Sequence, residues 1–201
     1  MANFEVTKHS IGEFKFNTDE KTFDIFEEIA FNVNGPIDVL PIKFGNNLQL
    51  VSISLLLCSD GIYMVDGEPL TDDRYSYDAE SEILSVKLSN MNRENNPDGA
   101  GVQLRFTGRI ADAKGPIHLD GDGVLVVDLR EDTHRVVACL GPVETHFGIN
   151  VMAEHGRRVE ADGEVATNGF DNDDGLRANW LPLKSDFNVS TINFKVYPID
   201  S

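Results

Sequence analysis

Arg158-Val159-Glu160-Ala161-Asp162-Gly163-Glu164-Val165-Ala166 is the stretch on which the fold turns. Two short segments, each alternating apolar and polar residues, flank an Asp-Gly pair. Asp-Gly tolerates the positive φ that a type I′ turn requires, and the twist of that turn suits two antiparallel strands. The stretch therefore predicts a tight β-hairpin.

Period-two alternation continues on both sides of it. In 143–153, Val143, Thr145, Phe147, Ile149, Val151 and Ala153 fall on one face, and Glu144, His146, Asn150 and Met152, followed by Glu154, fall on the other. Further strands are expected at 83–88, 102–110, 124–129, 136–140 and 189–197. Near the start, Phe4 and Val6, then Phe14 and Phe16, mark two short extended segments. Ile25, Ile29, Phe31 and Val33 follow, with Glu27, Asn32 and Asn34 among the polar positions. Residues 48–58 are apolar on nearly both faces, the pattern of a strand central to the core.

Turn chemistry divides these segments. Asp66-Gly67 reads as a second hairpin, and Asp60-Gly61, Asp98-Gly99 and Asp122-Gly123 as further reversals. Gly-Pro pairs at 35, 115 and 141 open apolar segments. The polar, aperiodic stretches 89–101 and 167–175 are expected to be surface loops. No window shows a convincing helical stripe; residues 20–29 offer one or two turns at most. The expectation is an all-β fold, an antiparallel β-sandwich or β-barrel of about ten strands with at most one short helix, in a single domain spanning 1–201.

Charge narrows the partners. The chain carries 34 acidic against 17 basic residues, a formal net charge of -17. Nucleic acids are held chiefly by Lys and Arg on phosphates, and the only basic run here is Arg157-Arg158. Nucleic acid is therefore not an expected partner, nor is an anionic membrane. The most apolar window falls far short of the ~20 residues of a membrane span. The first residues lack the basic and apolar regions of a signal peptide, and Cys58 and Cys139 have no scaffold spacing. A cytoplasmic location with two buried thiols is the expectation, with a bridge between them as the alternative.

No motif fixes a reaction, so candidate sites stand beside plainer readings. Glu144 and His146 lie two positions apart on one strand face, close enough to share a ligand, and a carboxylate can orient an imidazole for proton transfer. The plainer reading is a polar face in water. Asn150 shares that face as a candidate ligand contact. Asp120 and Asp122, beside His118, have spacing compatible with a hard cation, as do Asp171, Asp173 and Asp174; calcium, with its six to eight oxygens, is the cation they suit. Both groups also read as ordinary acidic turns, and the second fails the register of an EF-hand. Trp180 either stacks on a ligand such as a sugar or plugs the end of the core. Tyr75 and Tyr77 make either a binding platform or a packing pair.

The leading functional expectation is a non-catalytic ligand-binding or interaction protein with an acidic surface, needing no cofactor unless calcium. Its partner is a small molecule, a glycan or another protein. The alternative is a cofactor-independent β-barrel enzyme of isomerase or cyclase type, with Glu144 and His146 as an acid–base pair in an internal cavity.

Overall fold

The longest strand shows how the sequence builds the core. In β1 (Phe4–Asn17) the inward side chains are Phe4, Val6, His9, Ile11, Phe14 and Phe16, at intervals of two residues broken twice by three. The breaks coincide with register shifts against β2 (Thr22–Val33), between Val6 and Lys8 and between Ile11 and Glu13. A bulge inserts one residue and restores the inward face after it. Two segments that look separate in sequence are thus one strand.

The computed structural model describes residues 3–59, 62–91, 94, 96, 98–130, 132–140, 146–171, 175–181 and 192–199, with backbone alone at 89–91, 146–147 and 168. Among them are sixteen strands in three sheets and one 3-10 turn, Thr133–Arg135. The largest sheet runs β14 (Thr167–Asp171), β15 (Leu176–Trp180), β11 (His146–Glu154), β1, β2, β8 (Ala100–Arg109), β4 (Gln49–Ser59), β5 (Ile62–Val65). A second runs β13 (Glu164–Val165), β12 (Val159–Ala161), β16 (Asn193–Val196), β10 (Leu125–Asp128), β9 (Ile117–Leu119). The third is β3 (Ile37–Lys43), β7 (Ile83–Met91), β6 (Tyr75–Asp78).

Both smaller sheets contact the inner face of the large one. Phe14 of β1 meets Phe194 of β16 edge-on at 5.4 Å, and Phe44, just past β3, meets Phe106 of β8 at 5.3 Å. Edge-to-face rings at such distances add to the apolar burial. Among the described residues the large sheet begins and ends on different strands, so it is open and not a closed barrel.

The Asp162-Gly163 hairpin forms as its sequence requires. Ala161 faces Glu164, and the two turn residues take φ of 50° and 84°. Other expectations need correction. Sixteen strands replace about ten, because strands of two to five residues, such as β13 and β9, are too short to show a period. Residues 20–29 hold no helix; β2 occupies them from Thr22. Most pairing is antiparallel, but β11 lies parallel to β1, an arrangement that requires a long crossover. Residues 48–58 make the penultimate strand, β4, rather than a central one, and Val51 is exposed. Asp66-Gly67 does not close a hairpin, since no strand starts at Glu68; the β4–β5 reversal closes between Ser59 and Ile62. Residues 167–171 form β14 where a loop was expected.

Residues 136–140 are the most instructive departure. They are irregular, yet Val136, Val137, Ala138 and Leu140 are completely buried. A buried non-strand segment must find partners for its backbone groups one by one. Val136 and Val137 donate to the Thr133 carbonyl, Cys139 exchanges hydrogen bonds with Lys43, and the Ala138 N–H is bound by the side chain of Glu27. An apolar run buried on all sides looks like a strand in sequence because burial erases its alternation.

Candidate functional site

The outer face of the large sheet carries the candidate residues that the fold brings together. On β11, Asn150 is 3% exposed; its Nδ2 donates to the Gly12 carbonyl at 3.1 Å and lies 3.5 Å from the Met152 sulfur. That donation fixes the amide orientation and leaves Oδ1 buried with no hydrogen-bond partner among the described residues. Directly across the ladder from Asn150 stands Trp180. Opposed residues on antiparallel strands share a face, so these two meet although 30 positions separate them in the chain.

Trp180 is 46% exposed and does not plug the core. Its indole edge lies over Gly169 of the edge strand β14, where an added Cβ would stand 2.7 Å from Nε1. An aromatic ring covering an edge glycine stabilises such a strand, and the rest of the ring faces outward. Glu144 lies outside the described residues. His146 opens β11 opposite Lys8, and its side chain lies outside them as well.

The tyrosines sit elsewhere, on β6. The Tyr75 hydroxyl donates to Asp72 at 2.7 Å, a bond that leads the effects raising its pKa. The Tyr77 hydroxyl donates to the Phe44 carbonyl at 3.1 Å, and its ring stands edge-on to Phe44. The acidic candidates are likewise dispersed. Asp120 Oδ1 accepts the N–H groups of Asp122 and Val124, the bonding of an aspartate turn. Asp171 accepts from Arg177 at 3.0 Å and lies 3.2 Å from His155; the Arg177 bond leads the effects that lower its pKa. Asp173 and Asp174 lie outside the described residues. Among the described residues no three His, Cys, Asp or Glu side chains are grouped to hold a metal ion.

A cleft of about 630 Å³ opens near the β1–β2 hairpin, between that hairpin, the end of β8 and residues 46–49. Sheet register explains its lining. Lys15 faces Asp24, Asp24 faces Thr107 and Thr107 faces Gln49, a row across four adjacent strands. A second row, Asn17, Thr22 and Arg109, lies two residues further on. Arg105 holds Asp24 at 3.1 Å. Arg109 is exposed and makes no side-chain hydrogen bond or ion pair with a described residue. The loop bearing Asn46 and Asn47 is pinned by Glu82, which accepts from the Asn46 N–H at 3.3 Å and pairs with His134 at 2.7 Å and Arg135 at 3.5 Å. The His134 bond leads the effects that hold the Glu82 carboxyl below its ordinary pKa.

Outside the candidates drawn from the sequence lie the cleft residues, Thr107 and Arg109 among them, and one buried polar centre. His9 and Glu27 form a hydrogen-bonded pair on the inner face, both completely buried, with the second Glu27 oxygen on the Ala138 N–H at 3.0 Å. Burial raises the pKa of nearby Cys139, and Glu27 adds to that rise, which disfavours its thiolate. Cys58 and Cys139 are both free and half-buried. The signal for Glu27 was its parity, since it falls in the row of Ile25, Ile29 and Phe31. His9 gave none, because the bulges of β1 conceal which face it takes. No protein-family model matches the chain, and no curated protein matches it.

Proposed function

We propose that this chain is a non-catalytic binding protein that holds a polar small molecule or glycan on the open outer face of its large sheet, within a two-layer sandwich. The observation that carries this reading is the cleft beside the β1–β2 hairpin. Its lining is rich in amides and hydroxyls, of which Asn17, Thr22, Thr107 and Gln49 are set in strand register, and Arg109 is unengaged by the described residues. Side chains on paired strands are held more precisely than those on loops. Among the described residues the lining has no histidine or cysteine, and its one carboxylate there, Asp24, is tied to Arg105. The buried His9–Glu27 pair has no exposed surface to offer a substrate.

The free thiols suit a reducing compartment, so a cytoplasmic setting belongs to the same reading. No helix among the described residues is long and apolar enough to cross a membrane. The net charge of -17 supports a partner other than nucleic acid.

Thermal-shift screening with saccharides and polar metabolites, followed by calorimetric titration, tests the proposal. A ligand at ~100 times its Kd stabilises the folded state by ~2.7 kcal/mol. Arg109→Ala and Thr107→Val should each weaken that ligand about tenfold, the scale of one lost hydrogen bond, without changing the unfolding midpoint of the free protein. A ligand whose affinity neither substitution alters binds elsewhere, and the cleft reading is then lost.

A further inference from the structure

We infer that the free edge of β5 is a docking strip for an extended apolar segment with basic flanks, which another protein adds as a ninth strand to the large sheet. This rests on the sheet edge and not on the cleft.

The phase of the edge is fixed by two hydrogen bonds. Asp66 donates its N–H to the Leu55 carbonyl, and Cys58 donates its own toward Gly99. Backbone groups alternate in direction along an antiparallel strand. Ile62 and Met64 therefore bond toward β4, while the N–H and C=O groups of Tyr63 and Val65 point away from the sheet. No described strand takes them up. Side chains on the same edge are apolar and uncovered. Leu57, Ile62 and Met64 share the face of the sheet that forms the core, yet they are 37%, 63% and 58% exposed. Here the large sheet overhangs the layer packed on it.

Natural edges are usually blunted by lysine, proline, a bulge or a covering element. Ile62-Tyr63-Met64-Val65 has none of these residue types. Adding a strand from another chain satisfies backbone and side chains together, with specificity set by alternate side-chain pockets. Charge selects the partner. From residue 44 to 73 there is no Lys or Arg, whereas Asp60, Asp66, Glu68, Asp72 and Asp73 lie there. Asp66, Glu68, Asp72 and Asp73 are exposed. A second copy of this chain would bring the same acids to the same edge, so basic flanks complement the strip and a self-pair does not.

The test uses the whole protein and a fluorescent synthetic peptide, Lys-Lys-Val-Thr-Val-Thr-Val-Lys-Lys, followed by anisotropy at 0.15 M salt. Saturable binding is expected. It should weaken at least tenfold in the Ile62→Gln/Met64→Gln double variant, whose sites are exposed enough to leave folding intact. A peptide with Glu in place of each Lys, and one with Pro at the central Val, should not bind. Absence of binding by the unsubstituted protein overturns the inference. So does equal binding by the double variant, which would mean general charge attraction. A concentration-dependent dimer that the double variant abolishes would make a second copy the occupant, and overturns it too.

Discussion

At the residue scale, Glu27 joins two parts of the core that are far apart in the chain. It stands on an inner strand face among isoleucines and phenylalanines, where an isolated charge would be costly. Its two oxygens meet the His9 imidazole and the Ala138 N–H, and so tie the large sheet to the buried irregular segment 136–140. A buried pair contributes little net stability over an apolar replacement, but removing one partner leaves the other uncompensated, at a cost of ~3–5 kcal/mol. Glu27→Ala is expected to fall in that range by urea unfolding, since it strands both the imidazole and a backbone donor. Glu27→Gln should cost less, because an amide oxygen still accepts from Ala138. A loss below ~1 kcal/mol for Glu27→Ala would show that segment 136–140 does not depend on this carboxylate.

At the scale of elements, the loop between β3 and β4 is held by the ion-paired cluster around Glu82. Its carboxyl pKa is lowered in the folded state, first by His134. A depressed pKa contributes stability that is present above the unfolded value, ~4.3, and is lost as pH falls through the folded one. Stability should therefore decline on acidification below about pH 4.3, and Glu82→Gln should flatten that decline in a series of thermal midpoints. An unchanged acid limb in the variant would assign the decline to other carboxylates. How far elements could be read from sequence follows the same physics. β7, β8 and β11 were legible because one face of each alternates cleanly. β1 looked like two segments because bulges shift its parity, and 136–140 looked like a strand because burial on every side leaves no polar face. At the site, Asn150 and Trp180 stand out singly in the sequence, whereas the cleft residues Thr107 and Arg109 do not, since they fall in an ordinary alternating strand. The pairing of Asn150 with Trp180 depends on strand order, which local periodicity does not contain.

At the scale of the whole molecule, the net charge of -17 acts on every element at once. Like charges spread over a compact surface repel one another more than in an expanded chain, so excess charge destabilises the folded state. The surface ion pairs, such as those of Arg177 and Arg157, offset little of this, since exposed pairs contribute ~0–1 kcal/mol each. Added salt shortens the screening length from ~30 Å at 0.01 M to ~8 Å at 0.15 M. Net repulsion and favourable pairs are both screened, but the first dominates when acids outnumber bases 34 to 17. The thermal midpoint should therefore rise between 0.01 and 0.15 M sodium chloride, by roughly 2–4 °C for each kcal/mol gained. Divalent ions separate screening from a site. Asp120 is committed to its own turn, and Asp171 to Arg177 and His155, so calcium and magnesium at equal ionic strength should raise the midpoint alike. A larger shift with calcium, which accepts irregular oxygen cages that magnesium does not, would instead mean that the acidic loops gather a specific ion. A midpoint that falls with sodium chloride would show that attractive pairs, and not net repulsion, govern the electrostatics of this fold.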